Sequence, residues 1–204
     1  MKDENQGTEQ RIKDAAKGLF QKKGFAATKT REIAEASETN LALVNYYFRT
    51  KKQLFDAIML ETLNELLSGV VNIYSNEETT FEEKINAFVN HYMDLFSENQ
   101  NLPAFIMNSV RENPKEYLTQ FGLLGKIQDS TFAKQFQEKL EKGEIAQVNP
   151  INFIVNLIAL TVFPFITQPI VCETTGINKE LYYQMIEDRR RLIPLWIETM
   201  LRIT

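Results

Sequence analysis

The residues best suited to chemistry lie close together near the N-terminus, in residues 24–54: GFAATKTREIAEASETNLALVNYYFRTKKQL. Asn45 carries a side-chain amide that can pair with a base edge or a phosphate. Tyr46 and Tyr47 add hydroxyls for phosphates, and ring faces for sugars or thymine methyls. Lys51 supplies a cation where a new helix is expected to begin, beside backbone amides that already favour a phosphate. Thr28, Thr30 and Arg31 can hold the flanking backbone. This is the chemistry of nucleic-acid contact, not of bond making. An enzyme needs a nucleophile, a metal cluster or an acid/base pair in a cleft. The chain has no Gly-rich phosphate loop, no G-x-S-x-G and no metal-spaced set of His, Cys and Asp. No catalytic residue, metal ligand or cofactor is therefore expected.

These side chains need elements to position them. Ile12, Ala15, Ala16, Leu19 and Phe20 fall on one helical stripe and predict a helix over about 8–23. Thr8 is its expected N-cap, and Gly24 accepts a left-handed conformation after its end. Thr28 or Thr30 is expected to cap a short helix that buries Ile33 and Ala34. A polar turn, Ser37-Glu38-Thr39-Asn40, follows. Asn40 is expected to cap a second short helix, 41–47, and Thr50 the long helix starting near Lys51. Two short helices joined by a tight turn bury little alone. Packed on the first helix they form a three-helix unit with the last helix exposed on its outer face, the geometry that enters the major groove. Asn40 and Leu43 complete the DNA-facing candidates. Leu43 either touches a thymine methyl or contributes to local packing, and Phe48 plugs the core beneath.

The run Ile33-Ala34-Glu35-Ala36, then Val44-Asn45-Tyr46-Tyr47-Phe48-Arg49-Thr50-Lys51-Lys52-Gln53-Leu54, resembles the TetR family signature. That signature is an "IA" helix, a turn, an aromatic pair, Phe, a small polar residue, Lys and Leu. Gly24-Phe25 followed by Thr28 also fits. The resemblance covers about residues 8–58. It implies an all-α chain: a three-helix DNA-binding domain over 1–50, and a helical effector-binding and dimerisation domain over 51–204. It further implies a ligand-responsive regulator, usually a repressor, on palindromic operator DNA. The sequence departs from the signature in places. Glu38 stands at the turn position that is usually Gly, Thr39 where a small apolar residue is usual, and Leu41 and Leu43 where polar or small residues are common.

The remainder reads as helices over 51–74, 81–96, 102–111, about 114–142, 151–166 and 178–202, with no strand series. Asn113-Pro114, Asn149-Pro150 and Asn178 mark helix starts. Residues 151–166 are apolar on nearly every side, so this helix is expected to be buried all round, not to span a membrane. One side should meet its own core and the other a second subunit, with Ile186, Leu192, Leu195, Trp196 and Met200 of the last helix contributing. Phe88, His91, Tyr92, Phe105, Asn108, Tyr117, Phe121, Asn156 and Phe163 are candidates for an effector cavity suited to an apolar or aromatic molecule. Aromatics at helical spacing serve equally as plain core. Arg189-Arg190-Arg191 reads as a solvated face or a cross-dimer salt bridge.

The overall charge of −4 hides an asymmetry: residues 1–52 carry eleven Lys/Arg against seven Asp/Glu, and the rest twelve against twenty. A basic head on an acidic body fits a polyanion bound by the head alone. One cysteine, Cys172, permits no internal disulfide and fits a reducing cytoplasm. The polar start MKDENQGTEQ has no apolar core of a secretory signal. An all-helical enzyme or lipid carrier is the alternative class, and nothing in the residues supplies its chemistry.

Overall fold

The computed structural model describes residues 2–112, 114–118 and 123–202. Its elements are all helices: α1 (Lys2–Ala27), α2 (Thr30–Ala36), α3 (Leu41–Tyr47), α4 (Lys51–Ser75), α5 (Phe81–Glu98), α6 (Leu102–Glu112), α7 (Pro114–Leu118), α8 (Leu123–Gln128), α9 (Thr131–Glu141), α10 (Pro150–Thr175) and α11 (Lys179–Leu201). No strand occurs among the described residues. The chain forms two compact units, Met1–Glu65 with Phe105–Gln120, and Leu66–Ala104 with Phe121–Thr204. The long helix α4 contributes to both.

In the first unit, Ile12, Ala16 and Phe20 of α1 are buried together with Ile33 and Ala34 of α2, Val44 of α3, and Leu54, Phe55 and Ile58 of α4. Each fully buried Ile, Leu or Phe contributes about 1.5–3 kcal/mol. The rings of Phe20 and Phe55 meet edge-on at 5.1 Å, and Phe25 meets Phe55 at 4.9 Å. α1 begins well before Thr8, which is therefore an interior helical residue and not its cap. Gly24 takes φ 80° and ψ 165°, a backbone open to glycine at little cost, and turns the chain away from the α1 axis.

In the second unit the core is largely aromatic. Tyr74 stacks on Phe132 at 4.2 Å, Phe132 neighbours Phe81 at 4.9 Å, and Phe136 meets Phe153 at 5.1 Å. The single helix expected over 114–142 is instead interrupted. The chain leaves the helix at Asp129, and Ser130 caps α9 by accepting the Ala133 N–H at 3.3 Å. Asn113, like residues 119–122, lies outside the described residues.

α10 runs longer than the sequence predicts, through Pro164 and Pro169. Proline has no N–H to donate, so Pro164 leaves the Leu160 carbonyl without its helical partner. Arg189 of α11 fills that vacancy, its Nη2 donating to the Leu160 carbonyl at 2.8 Å. The Tyr182 hydroxyl donates to the Pro164 carbonyl. Gly176, left-handed at φ 69°, ends the helix.

α10 is long and apolar enough to cross a membrane by length and composition, yet only 22% of its most apolar window is buried within the chain. The expectation of burial all round is thus corrected for the single chain. Phe153, Leu157, Thr161, Pro164 and Phe165 face inward, toward α5, α9 and α11. Ile151, Val155, Ile158, Phe163 and Ile170 remain exposed. On α11, Leu181, Leu195 and Trp196 are exposed as well, whereas Ile186 is fully buried and belongs to the chain's own core.

Candidate nucleic-acid interface

The turn between α2 and α3 is built from backbone outward. The Ser37 N–H donates to the Ile33 carbonyl at 2.9 Å, and the Thr39 N–H to the Ala34 carbonyl at 2.9 Å. The Ser37 hydroxyl donates to the same Ile33 carbonyl at 2.8 Å and pairs with the Thr39 hydroxyl at 2.8 Å. Glu38 sits at φ 53°, the one non-glycine residue with positive φ among the described residues. The turn conformation usual for Gly is therefore kept although the residue is Glu. Asn40 then caps α3, its side-chain oxygen accepting the Leu43 N–H at 2.8 Å. That bond occupies the amide oxygen that the sequence reading offered to DNA.

The buried Val44 sets the roll of α3, and Phe48 just beyond the helix is nearly buried. Leu41, Ala42, Leu43, Asn45 and Tyr46 are exposed, with Tyr46 at 72%. Tyr47 is half-buried, its ring edge-on to Tyr46 at 5.3 Å. On α2, Arg31 is exposed and Thr30 half-buried.

Several expected roles change. Neither Thr28 nor Thr30 caps α2: Lys29 occupies that position, and the Glu32 carboxylate accepts the Lys29 N–H at 3.0 Å. The ammonium of Lys23, at 2.9 Å, and then this amide hold the Glu32 carboxyl below the usual carboxylate range. Thr28 is 1% exposed and donates its hydroxyl to the Gly24 carbonyl at 2.8 Å, so it closes the turn after α1 and presents nothing to DNA. Lys51 is also turned inward. Its ammonium donates to the carbonyls of Phe25 at 2.7 Å and Thr28 at 2.8 Å, and lies 4.3 Å from the centre of the Phe25 ring. The physical cause is the kink at Gly24, which leaves carbonyls without helical donors within reach of α4. Lys51 is therefore a clamp inside the head. The exposed cation that the sequence reading missed is Arg49, which has no ion-pair or hydrogen-bond partner among the described residues. Its signal was a basic residue directly after the aromatic run Tyr46-Tyr47-Phe48.

Among the described effector candidates, some are core residues and others lie on the surface. Phe88 and Tyr92 are core residues with rings 4.7 Å apart, and the Tyr92 hydroxyl donates to the Leu66 carbonyl at 2.6 Å. Burial pushes the Tyr92 and Tyr74 hydroxyls above the ordinary tyrosine range. Phe105 packs on Phe55 at 5.7 Å, and the Tyr117 hydroxyl donates to Asp56 at 2.9 Å. His91, Asn108, Asn156 and Phe163 are exposed. The His91 ring lies so close over Gly69 that a Cβ there would sit 2.3 Å from its Nε2. Phe121 lies outside the described residues. Two open cavities of the second unit are lined by other residues than these candidates. One, of about 750 Å³, is an apolar groove lined chiefly by Phe132, Phe136, Phe153, Ile151, Ile154 and Val155. The other, of about 670 Å³, has Phe81, Ile85 and Ile145 in its wall with Lys139, Arg191 and Glu198. Of the arginine run, Arg190 pairs with Asp94 at 2.7 Å and Glu187 at 2.9 Å within the chain.

A capped, outward-facing α3 held on α2 and α1 is the geometry of a helix-turn-helix DNA-binding protein. Residues 12–58 match the model of the family described as bacterial regulatory proteins, tetR family. The matched region and the relatives support a TetR-family transcriptional regulator, a DNA-binding protein and not an enzyme. It is 24% identical to "Probable HTH-type transcriptional regulator YttP" of Bacillus subtilis, over 96% of this chain and 94% of that protein. It is 29% identical to "Uncharacterized HTH-type transcriptional regulator YvkB" of the same organism, over 62% of this chain and 74% of that protein. Among solved structures, Salmonella enterica GusR superposes with a TM-score of 0.64 at 19% identity, covering 97% of this chain and 96% of its own. A TetR transcription regulator from Haloarcula marismortui gives 0.63 at 18% identity, covering 97% and 100%. These structures share the fold: an N-terminal helix-turn-helix followed by a helical C-terminal domain.

Proposed function

We propose that the chain is a cytoplasmic, homodimeric repressor that binds two inverted operator half-sites and is released by a small apolar or aromatic molecule. The observation that carries the DNA reading is the outer face of α3, exposed while Val44 on the opposite face is held in the core. Arg31, Thr30, Asn45, Tyr46 and Tyr47 form its contacts, with Arg49 added on the flank. Dimerisation through α10 and α11 is supported by the apolar residues that both helices leave exposed. A helix this apolar needs cover on its second side. The apolar character of the effector is supported by the groove beside Phe132 and Phe153. α4, part of both compact units, is the covalent route by which effector binding reaches the head.

Linkage supplies the test. An effector that releases DNA binds the free protein more tightly than the DNA-bound protein, by the factor it takes from operator affinity, about 5- to 150-fold. Hydrophobic compounds that raise the melting temperature are titrated calorimetrically into free protein and into its complex with DNA. Weaker binding to the complex supports the proposal. Equal affinity makes the compound a passenger and removes the release mechanism.

A further inference from the structure

We infer that α3 recognises its operator through thymine methyl groups, so that the base pairs under its outer face are A·T, gripped by apolar contact with cations only at the flanks. The inference rests on α3 being the helix that meets DNA and goes one step further, to the class of base it reads.

α3 is Leu-Ala-Leu-Val-Asn-Tyr-Tyr and carries no charged residue. Val44 turns into the core, while Leu41 at 39% exposure, Leu43 at 38% and the small Ala42 face out. Guanine is gripped through O6 and N7 by arginine or lysine, and α3 offers neither. Its one exposed amide without another duty is Asn45, and the bidentate partner of a side-chain amide is adenine. The Asn40 oxygen is already taken by the Leu43 N–H. A leucine pressed against a G·C edge would strip water from guanine acceptors or the cytosine amino group and give no hydrogen bond in return. Against thymine it covers the C5 methyl and loses its own contact with water. Charge is supplied from outside the helix, by Arg31 on α2 and Arg49 after α3, both exposed and without an ion-pair partner among the described residues. Such residues suit phosphates, which fix register and carry no sequence.

The test begins with selection of bound duplexes from a randomised DNA pool by the full-length protein. Thymines of the selected half-site are then replaced one at a time by uracil, which deletes only the methyl. Binding is followed by fluorescence anisotropy. The inference predicts A·T pairs at the selected core positions and a loss of about fourfold in affinity for each contacted methyl removed. Leu41→Ala and Leu43→Ala, both surface changes, should keep normal helicity and lose most of that discrimination between thymine and uracil. Unchanged affinity for the uracil duplexes overturns the inference, as does methyl discrimination that survives both leucine variants. A pool from which no sequence is enriched is a different failure: it removes α3 as the reading helix, and with it the function proposed above.

Discussion

Glu38 and Lys51 show what single side chains do in the head. Glu38 holds a positive φ that glycine adopts freely. A non-glycine residue there costs about 1–2 kcal/mol, partly offset because glycine would lose more chain entropy on folding, about 0.5–1 kcal/mol. Glu38→Gly is therefore expected to stabilise the protein by up to about 1 kcal/mol, read as a higher urea midpoint with an unchanged slope; a lowered midpoint would show that no strain is stored at this turn. Lys51→Met removes two hydrogen bonds from a cation to carbonyls and should destabilise by about 1–3 kcal/mol. Arg49→Ala should leave stability alone, weaken binding to every DNA sequence and flatten the salt dependence by about one unit. If Lys51→Met flattened the salt slope while Arg49→Ala did not, the two assignments would be reversed. Asn40, Asn149 and Asn178 were legible as caps, because a cap's partner lies two or three residues ahead. The role of Lys51 was not, since its carbonyl partners lie 26 and 23 residues back.

Among the elements, α10 poses the sharpest problem of local chemistry. Its apolar pattern was legible, but its length was not. The predicted end at residue 166 already lay past Pro164, but the helix continues through Pro169 to Thr175; the distant Arg189 makes Pro164 tolerable by satisfying the Leu160 carbonyl. Burial pulls that guanidinium below its ordinary range, and its Nε has no hydrogen-bond partner among the described residues. The carbonyl contact predicts coupling between the two positions. Arg189→Met should cost about 1–3 kcal/mol beside Pro164, where it orphans a carbonyl. It should cost clearly less in a Pro164→Ala background, where the substituted alanine supplies the missing N–H. A double-mutant cycle by chemical denaturation measures this; costs that simply add would show that Arg189 and Pro164 act independently. The break before α9 was within reach of the sequence, because Asp129-Ser130-Thr131 is a capping pattern. The apolar stripe of Phe132 and Phe136 obscured it by continuing past the break.

At the scale of the whole molecule, the fold class and the helix-turn-helix were legible because their signals are local: period, caps and a turn. The effector site was not. Buried and cavity-lining aromatics have the same helical spacing, and only packing distinguishes Phe88, stacked on Tyr74 in the core, from Phe136, which lines a groove. The exposed faces of α10 and α11 predict a stable dimer. Phe163, 61% exposed on α10, is the position at which to break it. Phe163→Glu should yield helical monomers in sedimentation at micromolar concentration where the unsubstituted chain gives dimers. A dimer that persists unweakened would place the interface elsewhere.

Sequence-specific DNA binding by the α3 face is the claim on which the rest depends. Its most direct test is the affinity of the full-length protein for a selected palindromic duplex and for a scrambled duplex of the same composition, measured by anisotropy across a salt series. The account predicts a preference of at least about 1,000-fold for the selected duplex and a steep fall of both affinities with salt. It also predicts that Asn45→Ala lowers the preference while the non-specific affinity remains. Equal affinity for the two duplexes at every salt concentration would contradict it.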